Sequence, residues 1–299
     1  RSALGDRATG DMVGLYMTAE SLRNTIPLLK SENVDIVVLR VQSGGGALLE
    51  IRRIAETLRT EFQPQFQTVA WIDSAISAAA MSVHGLPDIY FMSHGNYGAC
   101  TGWRGNLEAL KGRGLEQVLY MMEEISAWSG RDPKIMRAMQ ITADLEDFRQ
   151  LDIEEPTGAL SATLNDDGTV TWYQDATSGE YVLNPKANIN VLTFNAQEAE
   201  KFKFSRGTAD TIEQLGRAMG YNEIEWVGRR VAGVPWPVSR AEEYMQQFRQ
   251  RTKDAEDRTQ QHWVTFQNAM QMAQGAQNRE ECNRFRGRAR ESYNQIVRS

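Results

Sequence analysis

One stretch constrains the fold of this chain more than any other. DIVVLRV (Asp35–Val41) is a short apolar run bounded by polar residues, and SGGG (Ser43–Gly46) follows it almost at once. A segment that is apolar without alternation reads as a strand covered on both faces, the habit of a mostly parallel sheet. The glycines lead into ALLEIRRIAETLRTEF, where Leu48, Ile51, Ile54, Ala55, Leu58 and Phe62 keep helical spacing. The cycle then repeats. TVAWI (Thr68–Ile72) leads to the small-residue segment DSAISAAAMSVHG, and a third strand, IYFM (Ile89–Met92), ends in the turn-rich SHGNYGACTG. Next, LEQVLYMMEEISAW places Leu115, Val118, Leu119, Met122, Ile125 and Trp128 on one helical face. Alternating strands and helices over the first 130 residues predict βαβ units and a layered α/β fold.

The flanking segments read differently. Before the first strand, TAESLRNTIPLLK (Thr18–Lys30) predicts a helix capped by Thr18 and kinked or shortened at Pro27. SATLNDDGTVTWYQDATSGEYVLN alternates apolar and polar residues around the turn signals Asp167-Gly168 and Ser178-Gly179, which predicts an antiparallel insert at about 160–185. Asn195 with Glu198 forms a capping-box pattern before AQEAEKFKF, and Thr211–Gly220 predicts a further helix. After GVPWPVS the chain becomes rich in Gln, Glu, Arg and Met and has no proline from Arg240 onward. The expected division is a domain over 1–235 and a helical extension of one or two long helices over 236–299. Regular heptads are not sustained in that extension, which argues against a coiled coil.

Composition narrows the function classes. With 41% hydrophobic and 24% charged residues the chain has what a packed core requires. A formal charge of -6 gives no footing for a nucleic-acid partner. Cys100 and Cys282 are the two cysteines, with no CxxC pair or His/Cys cluster, so neither a disulfide framework nor a metal site is expected, and no cofactor is. No stretch approaches the ~20 apolar residues of a membrane span. RSALGDRATG lacks the apolar core and cleavage pattern of a signal peptide, and the chain as given reads as a soluble, mature or trimmed piece.

Acyl transfer needs a nucleophile, a base to activate it, and backbone N–H groups aimed at the developing oxyanion. The two strand-to-helix junctions carry parts of such a site. Glycines 44–46 allow a backbone turn to approach a substrate carbonyl, and Ser77 stands among Ala75, Ala78, Ala79 and Ala80 at the second junction. Composition and spacing alone favour a common glycine turn and a closely packed serine over a nucleophile.

A resemblance sharpens this. VVLRVQSGGGALLEIRRIAETL, then VAWIDSAISAAAMSVHGLPDIYFMSHGNYGAC, resembles the core of ClpP/crotonase-like serine peptidases, in particular the membrane-bound NfeD-associated and signal-peptide-peptidase-A branch. VLTFNAQEAEKFKFSRGTADTIEQLGRAMG is similar to the end of that core, so the resemblance covers roughly residues 12–220. It implies a ClpP/crotonase-like layered βαβ fold, here with the antiparallel insert and the helical appendage added. It also implies Ser77 as nucleophile and the N–H groups of Gly45 and Ala78 as the oxyanion hole. The chain departs from the pattern at Gln42, where Asn or Asp is usual, and at Ala79-Ala80-Met81, where a glycine often follows.

The base is less determined. Clp peptidases use a His and an Asp, but the matching stretch here is Gly98-Ala99-Cys100-Thr101. His94 reads as a turn residue at a strand end, and His84 lies two helical turns from Ser77, beyond hydrogen-bond reach. The signal-peptide-peptidase branch uses a Lys, which points to Lys111, before the long helix. A lysine base requires a lowered pKa, to which Arg104 and Arg113 are near enough in sequence to contribute. Arg113 stands nearer the family position but stays protonated. Lys111 has an alternative role as a solvated loop lysine.

The other groupings carry less chemistry. Asp73 fits a cap for the following helix, Asp166-Asp167 fits a hairpin turn better than a calcium loop, and Arg284, Arg286, Arg288 and Arg290 form a basic patch open to solvent, acidic lipid or a partner. The expected function is a serine endopeptidase acting through a Ser77–Lys111 dyad on extended, hydrophobic or membrane-derived polypeptides. The resemblance further implies a homo-oligomer working at a membrane on the extracytoplasmic, periplasmic side, with a membrane or membrane-protein partner. A catalytically inactive assembly scaffold and an acyl-CoA enzyme of the crotonase type are the alternatives.

Overall fold

The computed structural model describes residues 12–104, 108–141, 157–184 and 191–298. The chain divides into two compact units, 1–243 and 244–299.

The first unit opens with two short helices, α1 (Ala19–Arg23) and α2 (Ile26–Ser31). Thr18 caps α1 through a reciprocal bond with Ser21, and Pro27 sits in the first turn of α2, where its missing N–H is harmless. The expected single helix is thus broken before Pro27. Strands β1 (Ile36–Ser43) and β2 (Gln67–Ile76) follow, joined by α3 (Leu48–Thr57) and a π-helical turn, Leu58–Phe62. Helix α4 (Ala78–Val83) then joins β2 to β3 (Asp88–Gly98). β1, β2 and β3 run parallel in that order.

Both faces of this sheet are covered, which is why its strands are apolar without alternation. On one face Val37, Val41, Ala70, Ile72, Ile89 and Phe91 join Ile51, Ile54 and Leu58 in the main core. Val69, Trp71, Tyr90 and Met92 form a second core on the other face, packed with Ala209 and Leu215.

β3 corrects an expectation. Ser93–Gly98, read as turn, continues the strand, and the strand bulges opposite Asp73 before pairing resumes at Ser74–Asn96. Beyond it, Trp103–Arg104 (β4) and Glu108–Ala109 (β5) form a two-residue ribbon. The amphipathic helix α5 (Gly112–Ser129) and α6 (Pro133–Gln140) come next. The insert is a three-stranded antiparallel sheet of β6 (Leu160–Leu164), β7 (Val170–Tyr173) and β8 (Tyr181–Asn184), with β6 central. Asp167 closes its first turn by accepting from the Thr169 N–H and hydroxyl at 2.9 and 2.6 Å, the turn role expected of it.

β9 (Thr193–Asn195) then pairs antiparallel with the end of β3, completing the order β1-β2-β3-β9. Asn195 and Glu198 close both halves of the capping box that starts α7 (Ala196–Lys201), and Thr211 caps α8 (Ile212–Ala218). This is a layered βαβ fold, with the antiparallel insert and helical appendage that the sequence predicts.

The appendage is formed by α9 (Arg240–Gln274) and α10 (Arg279–Arg298). Thr259, His262, Phe266, Ala269 and Ala273 of α9 are less exposed than their neighbours, as are Cys282, Phe285, Ala289, Ser292 and Ile296 of α10. Alternating steps of three and four define a seam. The expectation of no sustained heptad is therefore corrected: the seam is present, but Thr, His, Ala and Ser occupy many of its positions.

Candidate active site

Ser77 is the single residue between β2 and α4. Its backbone lies at φ 55° and ψ -128°, outside the regions that L-residues prefer. Holding a non-glycine residue there costs of order 1–3 kcal/mol, a strain tolerated only where the surroundings fix it. The Ser77 N–H donates to Gly98 O at 2.9 Å. Its carbonyl accepts from the Met81 N–H at 3.1 Å and from Cys100 Sγ at 3.7 Å. The turn points the serine out of the layer of buried alanines that follows.

Gly45 faces it. A Cβ on Gly45 would stand 2.7 Å from Ser77 Cβ and 3.1 Å from Ser77 Oγ, so only glycine permits this approach, and its φ of 120° requires glycine as well. The two glycine-dependent features converge on one hydroxyl. The Gly45 N–H donates to Ser43 Oγ at 3.2 Å, while Gly45 O accepts from the Val13 N–H at 2.9 Å. Ala78 is the first residue of α4, so its N–H has no carbonyl to meet within the helix. Gly45 is thus brought against Ser77, with Ala78 the next residue along the chain.

Two depressions meet at Ser77. The larger, about 700 Å³, is lined by Met12–Leu15, Gly44, Gly46, Ala47, Ile76 and Ala99. The smaller, about 210 Å³, is lined by Gly46–Leu48, Ala78, Met81 and Cys100–Gly102 among others. Sequence reasoning missed the wall contributed by Met12–Leu15. Its signal was the apolar MVGLYM run, which is tied beside the glycine loop by the Val13–Gly45 bond and by Ala47 N–H to Val13 O at 2.8 Å.

Lys111 lines neither depression. It is exposed, at the N-cap position of α5, and its side chain makes no capping bond. Leu110 next to it donates its N–H to Gly102 O at 2.8 Å, and Gly102 belongs to the smaller depression. Arg113 is exposed in the first turn of α5, and the Arg104 side chain lies outside the described residues.

His84 lies at the far end of α4, away from Ser77 as expected, whereas His94 and Asp73 occupy places the sequence did not suggest. His84 is fully buried, with Nδ1 3.0 Å from the Tyr97 hydroxyl and Nε2 3.1 Å from Ser126 Oγ. Burial, with the Arg131 charge nearby, holds its pKa well below the ordinary value, so the ring is neutral. Tyr97 gives its hydroxyl proton to Ala80 O at 2.6 Å, which makes His84 Nδ1–H the donor to Tyr97. Arg131 donates to the His84 and Leu86 carbonyls at 2.7 and 2.6 Å. Burial lowers its pKa to about 10. This network holds the C-terminal end of α4, so it anchors the helix that carries Ser77 at its other end.

Asp73 does not cap α4. It pairs with Arg40 and accepts from His94 Nε2 at 2.9 Å, and His94 belongs to β3, not to a turn. The cause is the bulge in the sheet, which turns Asp73 toward the neighbouring strands. Cys100 is fully buried, and burial raises its pKa far above the ordinary thiol value, so it is a wall of the site and not a nucleophile. No group of three or more metal-ligating side chains is found among the described residues.

The chain was compared with known proteins. Neither a family model nor a curated protein matches it. Among solved structures, it is similar to a serine-to-alanine mutant of the 1510-N membrane-bound stomatin-specific protease. The TM-score is 0.47 at 14% identity, over 70% of this chain and 80% of that one. A lysine-to-alanine mutant of the same protease, in complex with a substrate peptide, gives a TM-score of 0.44 at 13% identity. That match spans 67% of this chain and 72% of the other.

Proposed function

We propose that the chain is a serine endopeptidase in which Ser77 attacks the peptide carbonyl and forms an acyl-enzyme. The observation that carries this reading is the convergence of a strained Ser77 and a positive-φ Gly45 on one hydroxyl, between two depressions. Strain of this kind is kept where it presents a reacting group, and a buried packing serine has no use for it.

In the reaction, Ser77 Oγ adds to the carbonyl carbon and the carbonyl oxygen becomes the oxyanion. Ala78 N–H receives it, and Gly45 N–H joins by exchanging its long bond to Ser43 Oγ for the stronger charged acceptor. Lys111 takes the Ser77 proton and returns it to the leaving amine. Water then releases the acyl group by the same path. Since Lys111 lines neither depression in the single chain, the reading requires the start of α5 to move in on substrate binding or oligomer assembly. Assembly is the reason to propose a homo-oligomer. The larger depression has an apolar wall of Met12, Val13, Leu15 and Ile76, which suits an extended hydrophobic polypeptide. Hydrophobic polypeptides of this kind arise at membranes, and the proposed working place is a membrane on its extracytoplasmic side.

The test is hydrolysis of an unfolded hydrophobic protein and a fluorogenic peptide pool by wild type, Ser77→Ala and Lys111→Ala, at matched oligomeric state. Loss in both variants supports the dyad. Loss with Ser77→Ala alone keeps the peptidase and moves the base elsewhere. Activity that survives Ser77→Ala, or an inert wild type from acid to alkaline pH, contradicts the reading.

A further inference from the structure

The unit from Tyr244 to Ser299 differs in charge from the whole chain. It holds ten Lys and Arg against six Asp and Glu, within a chain of formal charge -6. Its two helices meet along the seam described above, and one flank of that seam carries exposed aromatic, aliphatic and cationic side chains. On α10, Arg286, Arg290, Tyr293 and Val297 follow at steps of four, three and four, which places them in one row. On α9, Trp263 and Met270 are seven residues apart and share a face with Phe266 between them. The Phe266 ring joins the two rows, with centroids 5.5 Å from Trp263 and 6.2 Å from Tyr293.

This flank is open. Trp263 is 43% exposed, Met270 38%, Tyr293 53% and Val297 70%. Arg286 and Arg290 are exposed beside them and make no ion pair among the described residues. Glu280 and Glu291, eleven residues apart, share a different face of α10, about a third of a turn from the arginine row. Those two acids thus lie away from the Arg286 and Arg290 row, and Glu281 on the same helix pairs with Arg284 at 4.0 Å.

We propose that this flank lies on an anionic lipid surface. Each component has a place there. Trp and Tyr have an apolar body and a polar tip, the combination that settles at the headgroup boundary. Met270 and Val297 enter the upper acyl region, and Arg286 and Arg290 meet lipid phosphates at the same depth, with stems that reach along the apolar face. No helix among the described residues is long and apolar enough to cross a membrane, so this contact is a docking in the plane of the surface. Charge complementarity selects anionic over neutral lipid. The docking is independent of whether Ser77 is a nucleophile.

The experiment is flotation of the full chain, as Ser77→Ala to exclude self-cleavage, with phosphatidylcholine vesicles with and without phosphatidylglycerol. Binding is expected to the anionic vesicles, to weaken with added salt, and to fall about thirtyfold in Arg286→Gln/Arg290→Gln. Trp263→Ala/Tyr293→Ala is expected to lose binding while circular dichroism reports unchanged helix content. Arg284→Gln/Arg288→Gln removes the same charge from another side of α10 and is expected to lose much less. Equal loss in both arginine pairs would reduce the contact to net charge and overturn the proposal. So would absence of binding to anionic vesicles, or binding that survives loss of both aromatics. A change of oligomeric state without lipid in the aromatic variant would instead assign the flank to a second copy of the chain, and would overturn it too.

Discussion

Replacing Gly45 by alanine tests the geometry at the nucleophile directly. The new Cβ would stand 2.7 Å from Ser77 Cβ and 3.1 Å from Ser77 Oγ, and the residue would keep a φ of 120°. The backbone conformation costs of order 1–3 kcal/mol for a residue with a Cβ. Relief of the close contact, which sets one rigid backbone turn against another, costs about 1–3 kcal/mol more. A total of about 2–6 kcal/mol predicts a fall in melting temperature of roughly 4–24 °C for a unit of this size. If the loop shifts to relieve the contact, the Gly45 N–H leaves its place, and loss of one oxyanion donor lowers turnover by about 10²–10³-fold. Gly44→Ala is the control, because a Cβ there meets nothing within 4 Å. Melting by calorimetry and hydrolysis of a fluorogenic peptide are read on both variants. Gly45→Ala behaving like Gly44→Ala in both assays would refute the reasoning.

Three further outcomes follow from the groups around Ser77. His84 is neutral in the fold and protonates below about pH 6.5 when unfolded, so its contribution is intact above that pH and stability falls by about 1.4 kcal/mol per unit below it; denaturant unfolding of His84→Gln between pH 5 and 7 is expected to show a shallower slope. Arg131→Met strips two short bonds from the His84 and Leu86 carbonyls and is expected to destabilise the first unit by about 3 kcal/mol or more, measured by urea unfolding. Cys100 is buried with its pKa raised while Cys282 is half-exposed, so a thiol reagent is expected to modify one cysteine per native chain and two in denaturant.

Much of the fold is legible where residue pattern and local geometry agree. β1 and β2 were marked by unbroken apolar runs, the turn of the insert by Asp167-Gly168, and α7 by the Asn195–Glu198 box. The misreadings share a cause: contacts made far along the chain overrode local signals. Ser93–Gly98 is polar enough to read as turn, yet Asn96 pairs across to Ser74 with an Oγ–Oδ1 bond of 2.8 Å, and His94 finds Asp73. β9 is three residues long and exists through its pairing to β3. The seam of the helical unit escaped notice because Thr259, His262 and Ser292 stand where apolar residues are expected.

At the site, the glycine run marked the turn at Gly45, whose φ of 120° requires glycine, whereas Ser77 and Ala78 were named through the family resemblance and not by residue pattern. Lys111 left no such mark. A lysine at a helix start looks the same whether it is a base or a solvated residue, and its exposure fits the second role.

The central claim is that Ser77 is an activated nucleophile. Its most direct measurement is labelling of the intact protein with a fluorophosphonate, followed by mass spectrometry of the peptides. The account predicts one stable adduct, on Ser77, absent from Ser77→Ala and slowed in both Lys111→Ala and Gly45→Ala. A folded protein that takes no label at any pH, or carries it on another residue, would contradict the account.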